Sequence, residues 1–189
     1  NPTLGGRSVY PPAPEFLFQP PASYGPKVWT EEQGPDRYRR SLYVFKFRSI
    51  PYPVLMNFDA PNGDFSCVRR PRSNTPLQAL TTLNDPVFVE AAAAFARRIV
   101  TSAGPGIPER IEFAMRACVA RSPDEAERDR LSALYQQQLD GFRADVAAAK
   151  ALVGGALDDV TPEVEPAEMA AWTVVANVLL NLDETLNRG

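Results

Sequence analysis

Three arginines lie within four positions of the segment CVRRPRSNTPLQALTTLND, residues 67–85. Guanidinium groups bind carboxylates and phosphates through paired hydrogen bonds, and a helix N-terminus favours anions. Arg69, Arg70 and Arg72, together with Asn74, could therefore bind an acidic ligand. Alternatively, they pair with carboxylates or backbone carbonyls and attach the irregular half of the chain to its helices. The 23 acidic residues offer many such partners, which favours the second interpretation.

A second basic pair, Arg39 and Arg40, precedes a run of β-branched and aromatic residues. These arginines either join the same cluster or act as solvated charges that discourage pairing at a strand edge. The sequence leaves both alternatives open.

The composition excludes several kinds of chemistry. The chain has no histidine, so neither a Ser-His-Asp set nor a Cys-His pair can form within it, and c-type haem cannot attach. Cys67 and Cys118 are too few for a structural zinc site; we favour a buried free thiol at Cys118 over a disulfide. A formal net charge of -3 argues against nucleic acid as a partner. We therefore expect no cofactor and no metal.

The loop FDAPNGD, residues 58–64, carries oxygen groups that suit calcium. The spacing of Asp59, Asn62 and Asp64 differs from that of a helix-loop-helix calcium site, and no glutamate follows at the twelfth position. We expect a hydrogen-bonded turn rather than a metal site.

Prolines divide the molecule, since ten of the 19 lie in the first 53 residues. Proline fixes φ and removes a hydrogen-bond donor, which makes regular helix improbable there. The same region is rich in aromatic residues, including Trp29, which a disordered linker would lack. We predict an extended segment over residues 1–53, with a short strand near 41–48 and one or two short strands in all.

From residue 75 onward the pattern is helical. In the first predicted helix start, Thr75 caps the helix, Pro76 follows and Gln78 reaches back to the cap. The same pattern predicts a start capped by Ser122 with Glu125, and Asp85 caps a third helix that follows directly after Asn84.

Apolar residues recur at spacings of three and four along this half, which predicts helices packed in one core. One such stripe includes Cys118, and a longer one runs from Leu131 to Val146. We predict a mainly α fold, with about five helices after residue 75 in a helical domain over 54–189. The stripe that begins at Trp172 could instead bind a partner helix, and Trp29 and Trp172 are the candidate partner-surface residues.

The sequence contains no apolar stretch of the ~20 residues that a membrane span requires, so we expect no transmembrane helix. The chain opens on Asn1 without a basic start or an apolar run. We therefore expect no signal peptide at this end, and the start on Asn rather than Met predicts a processed chain or a piece of a longer one.

Several segments resemble a planctomycete-specific domain of unknown function. They are YRRSLYVF (38–45), FDAP (58–61), CVRRPRSNTPLQALTTLNDPVFVEAA (67–92) and AAWTVVANVLLNLDETLNR (170–188). That domain closes large secreted proteins that begin with a planctomycete-type cytochrome c domain, whose haem motif lies far upstream. The resemblance implies an extracytoplasmic, periplasmic or secreted, location and no established activity. The chain departs from the family pattern between FDAP and Cys67.

The leading hypothesis is a non-catalytic structural or interaction module. Its partner would be another protein or the rest of a longer parent chain. A second hypothesis is a glycan-binding or hydrolytic accessory domain that uses the Arg69–Arg72 cluster with Trp29 as a stacking platform. A third is an accessory subunit of a redox or electron-transfer complex.

Overall fold

The computed structural model describes residues 1–18, 25, 27–48, 50–71, 73–154 and 164–187. In these residues there are eight α-helices and three short 3-10 turns, with no strand. The helices are α1 (Pro53–Asn57), α2 (Pro76–Asn84), α3 (Pro86–Ser102), α4 (Ile107–Val119), α5 (Glu125–Ala144), α6 (Val146–Val153), α7 (Pro166–Leu180) and α8 (Asp183–Leu186). The prediction of a mainly α fold with one core of packed helices is confirmed.

The chain divides into two compact units, residues 1–78 and 79–189. The helices that pack into the common core belong to the second unit. The Gly-Gly pair at residues 154–155 and Pro162 predict a turn-rich connector that contains Asp158 and Asp159, and residues 155–163 lie outside the described part of the chain.

The strand predicted over residues 41–48 is wrong. Residues Ser41–Tyr43 form a 3-10 turn, and a single parallel bridge joins Val9 to Val44. The Val9 N–H donates to the Tyr43 carbonyl at 2.8 Å, and Val9 accepts from the Phe45 N–H at 2.9 Å. The ladder cannot continue beyond Tyr10, because the next two residues are prolines without an N–H to donate.

The first unit has an aromatic core instead of a sheet. The Trp29 ring lies 4.8 Å from Phe18 and 5.7 Å from Tyr52, nearly parallel to both, and meets the edge of Tyr10 at 5.1 Å. Its Nε1 donates to the Pro11 carbonyl at 2.8 Å. Aromatic groups bury much area per residue and pack in such pairs, which explains how a proline-rich segment acquires a fixed structure.

In the second unit α7 is the central helix. It packs against α3, α5 and α6, and nine of its 15 residues are buried. A helix that is apolar on every side belongs in a core rather than at a surface. The early positions of the C-terminal stripe, Trp172, Val175 and Leu179, are at most 1 % exposed.

The prediction of Trp172 as a partner-surface residue is therefore wrong. Its side chain is completely buried, and its ring lies 4.5 Å from that of Tyr135 on α5. Period and residue type cannot distinguish a core stripe from a docking stripe, because both require apolar groups at helical spacing.

The long stripe from Leu131 to Val146 breaks at Asp145. This residue leaves the helical region, with φ -130° and ψ 80°, and its side chain accepts from the Ala148 N–H at 2.9 Å. It thus caps a new helix, and Val146 is 45 % exposed rather than buried. We predicted about five helices after residue 75. This break and the short α8 help to explain why the described residues contain seven.

Candidate functional site

Arg70 binds the end of a helix rather than presenting a free guanidinium. Its Nε donates to the Asp59 carbonyl at 3.0 Å, and a terminal nitrogen donates to the Phe58 carbonyl. These carbonyls follow α1, whose last turn leaves acceptors without intrahelical partners. A cation at this end also complements the helix dipole. The arginine therefore stabilises the turn that leaves α1.

A hydrogen-bonded network continues from this turn to the start of α2. The Ser73 hydroxyl donates to the Asp59 carboxylate at 2.5 Å and accepts from Gln78 Nε2 at 2.9 Å. Gln78 Nε2 also donates to the Asn57 carbonyl at 2.8 Å. Gln78 is only 3 % exposed, so its amide is a buried link between α1 and α2.

Gln78 also takes part in the helix cap. The Gln78 N–H donates to Thr75 Oγ1 at 3.3 Å, and the Thr75 N–H donates to Gln78 Oε1 at 3.1 Å. This reciprocal pair is a capping box. The capping pattern indicates this pair, but the contacts to Ser73 and Asn57 have no signal in the local sequence.

The other predicted members of the cluster are Arg69, Arg72 and Asn74. Arg69 and Asn74 are exposed, and Arg72 lies outside the described residues. Both carbonyls that Arg70 binds lie in its own unit, residues 1–78, so an anchor between the irregular and helical halves stays a prediction.

Arg39 forms a separate anchor within the first unit. Its terminal nitrogen donates to the Thr3 carbonyl at 3.2 Å and to the Gly5 carbonyl. Its guanidinium carbon lies 4.0 Å from the centre of the Tyr43 ring, a cation–π distance. Arg40 is exposed and precedes the 3-10 turn.

Lys46 occupies the carbonyl groups of the loop considered for calcium. Its ammonium donates to the Pro61 carbonyl at 2.8 Å and to the Asn62 carbonyl. The Asn62 and Asp64 side chains bond to each other at 2.8 Å, and the Asp64 N–H donates to Asn62 Oδ1 at 3.0 Å. The loop is thus a hydrogen-bonded turn with its own cation. In the described part of the chain no group of three acidic, histidine or cysteine residues could hold a metal.

The segment that follows this turn projects apolar side chains into solvent. We call residues 65–69 the projecting loop. Phe65 is 82 % exposed, and Val68 is fully exposed. Cys67 between them is an exposed free thiol, and Arg69 is exposed as well. The contacts of Lys46 and Arg70 hold the two ends of this loop. Phe65 and Val68 could not be identified from the sequence, since nothing in the local sequence marks an apolar residue as exposed. Lys46 was not identified either.

The cap predicted at Ser122 with Glu125 is wrong. The N-cap of α5 is Asp124, whose carboxylate accepts from the Glu127 N–H at 2.7 Å while Glu127 accepts from the Asp124 N–H at 2.9 Å. Ser122 instead donates to Glu112 at 2.7 Å. The Asp-x-x-Glu spacing at 124–127 is itself a capping-box pattern that competes with the one predicted.

Arg121 connects this cap to α8. Its guanidinium binds the carboxylates of Glu127 and Glu184, each at 2.7 Å. The hydrogen bonds from Arg121 and from the Asp124 backbone lower the pKa of Glu127 to about 2, and the Arg121 pKa is raised in turn. The exposed setting keeps the gain from such pairs small.

The second unit also has a shallow apolar recess of about 190 Å³. It is lined by Leu83, Val89, Leu152, Thr173, Val174, Asn177 and Val178. No charged side chain lines it, and the hydroxyl of its one threonine, Thr173, donates to the Met169 carbonyl at 2.8 Å.

Among the described residues no helix combines the length and apolarity needed to cross a membrane. The fold is mainly helical. The polar networks described above connect segments within residues 1–78 or within residues 79–189. A sequence model of PSD1, a protein of unknown function (DUF1553), matches residues 1–135. The chain belongs to this PSD1 family. Comparison with curated proteins and with solved structures gave no match.

Proposed function

We propose that the chain is a non-catalytic interaction module that binds a protein partner through its projecting loop. The proposal is based on the exposure of two apolar side chains: Phe65 is 82 % exposed and Val68 is fully exposed. Phenylalanine and arginine are enriched in protein interfaces relative to the rest of the protein surface. A partner surface would remove both from water.

The anchoring contacts support a docking role. Lys46 holds the carbonyl groups before the loop and Arg70 binds the carbonyls after α1. A loop held at both ends loses less conformational freedom on binding than a free one. The exposed Arg69 at its C-terminal end also favours a partner with an acidic surface next to its apolar pocket.

The partner is another protein or the rest of a longer parent chain, and the extracytoplasmic location is part of this proposal. Both rest on the resemblance to large secreted proteins. The glycan alternative requires free guanidiniums beside an exposed indole. Arg70 binds backbone carbonyls and Trp29 packs among aromatic rings, so two components of that site are already engaged. The accessory role in a redox complex has no contact among the described residues that favours it.

Photo-cross-linking tests the proposal. A photoreactive phenylalanine analogue replaces Phe65 in the full chain, which is then irradiated in an extract of the cells that produce it. A second sample carries the analogue in place of Leu80, which is 57 % exposed on α2. We expect a discrete product from position 65 and none of the same mass from position 80.

Competition makes this experiment specific. An excess of unlabelled wild-type chain should suppress the product, whereas Val68→Asp should compete at least about tenfold less well, because a carboxylate cannot enter an apolar pocket without a large desolvation cost. Equal competition by Val68→Asp, or identical products from positions 65 and 80, would refute docking through this loop.

A further inference from the structure

The turn before the projecting loop contains the one Asn-Gly dipeptide of the sequence, Asn62-Gly63. Both residues are exposed, and Gly63 has a φ of +86°. In such a dipeptide the backbone nitrogen of the glycine can attack the side-chain amide of the asparagine. Glycine permits the approach because it has no Cβ and adopts conformations that other residues avoid.

We propose that Asn62 is a site of spontaneous modification, in which a succinimide forms and water then opens it. In the first step Gly63 N bonds to Asn62 Cγ and the Cγ–Nδ2 bond breaks. The proton of the Gly63 N–H leaves with the amide nitrogen as ammonia. In the second step one water adds to either ring carbonyl and yields aspartate or isoaspartate. Water is the only co-reactant.

Lys46 activates the attacking group. Its ammonium donates to the Asn62 carbonyl and also to the Pro61 carbonyl at 2.8 Å. The Asn62 carbonyl and the Gly63 N–H belong to one resonant peptide group. A cation at the oxygen therefore stabilises the amide anion that forms when Gly63 N loses its proton.

Asp64 acts on the amide that is attacked. Its N–H donates to Asn62 Oδ1 at 3.0 Å, where negative charge develops as the nitrogen adds to Cγ, and a positioned donor stabilises such charge. Its carboxylate accepts from Asn62 Nδ2 at 2.8 Å. That carboxylate lies at the leaving nitrogen, where it can pass on the proton needed to release ammonia.

The modification changes the base of the projecting loop. Aspartate at position 62 introduces a negative charge next to Asp64, and isoaspartate also lengthens the backbone by one carbon. Either product loses the amide donor that now binds Asp64. This inference does not depend on a partner binding at the loop.

Peptide mapping of the full folded chain tests the proposal. The protein is incubated in heavy-oxygen water at mildly alkaline pH, and the label is measured at each asparagine by mass spectrometry. We expect Asn62 to convert at least about tenfold faster than Asn84, whose backbone is at the end of α2, because a helical backbone cannot adopt the geometry for attack. The rate should fall as the pH is lowered, since the attacking amide must lose its proton.

Two variants test the role of Lys46. Lys46→Met should slow conversion by about three- to tenfold through loss of the positioned cation, while Lys150→Met, the same change at an exposed lysine of α6, should leave the rate unchanged. Circular dichroism confirms that each variant is folded. Equal rates at Asn62 and Asn84 would disprove the site, and a Lys46→Met rate within a factor of two of wild type would disprove activation by Lys46.

Discussion

At the residue scale, two arginines of the first unit bind backbone carbonyls rather than presenting their charge to a ligand. Arg70 binds two backbone carbonyls beyond α1, and Arg39 binds carbonyls of the N-terminal segment. Both acceptors are parts of the irregular backbone, which has few internal hydrogen bonds of its own. Arginine carries five N–H groups and can satisfy several such acceptors at once. In a chain rich in prolines, clustered arginines thus serve the backbone as readily as a ligand.

The two cysteines differ in burial, and burial affects how easily a thiol ionises. Cys118 is partly buried against the helical core, and this burial raises its pKa to about 11 from an ordinary value of 9.0. Cys67 is exposed. We expect a thiol reagent at mildly alkaline pH to modify exposed Cys67 much faster than Cys118. The raised pKa lowers the thiolate fraction of Cys118 about a hundredfold, the thiolate is the reactive form, and burial also limits access.

Labelling of single-cysteine variants measures this difference. Cys67→Ser should abolish the fast phase, and Cys118→Ala should leave it intact. The Cys118 rate should keep rising with pH toward 11, the direction set by a raised pKa. A fast phase that survives in Cys67→Ser would show that the thiol of Cys118 is accessible and ionised.

At the scale of the element, helix starts follow local chemistry, but the choice between neighbouring caps does not. The Thr75–Gln78 and Asp85 contacts are formed as the spacing indicates. At the start of α5, Ser122 and Asp124 are both acceptable caps by residue type. Asp124 is used because Glu127 completes the reciprocal bond and Arg121 holds Glu127 in place.

Asp124→Ala should therefore destabilise the helical unit by about 0.5–2 kcal/mol, the usual cost of losing an N-cap. Ser122→Ala, a matched removal of the polar group two residues earlier, should cost less because it removes only exposed side-chain contacts. Urea unfolding of the full chain, followed by far-ultraviolet circular dichroism, measures the change in the free energy of unfolding for both variants. An equal or larger effect for Ser122→Ala would show that the cap lies there in solution.

At the scale of the whole molecule, the chain builds two cores by different means. Residues 1–78 rely on stacked aromatic rings around Trp29, and residues 79–189 on helices packed around α7. Each unit thus has one tryptophan at or near its centre. The division predicted between residues 1–53 and 54–189 stays a prediction.

Replacing each tryptophan should affect its own unit first. Trp172→Ala leaves a large hole in a fully buried site and should cost about 3–5 kcal/mol, with lost hydrogen-exchange protection along α3, α5 and α7. Trp29→Ala should instead release the amides of Val9, Glu32 and Phe45, which bond across the first unit. If either variant exposed both sets of amides equally, the two cores would have to unfold as one.

The sequence by itself determined the class of the fold, the starts of α2 and α3 and the exclusion of histidine-based chemistry, because these depend on residue type and short-range spacing. It also indicated the hydrogen-bonded turn at residues 58–64. Only the tertiary structure decided that Trp172 is a core residue, that Val9 and Val44 meet in a single bridge, and that Lys46 and Arg70 hold a loop with exposed Phe65 and Val68. Those outcomes depend on which distant segments come together, and burial of an apolar group or the partner of a cation is set by such contacts rather than by neighbours in the chain.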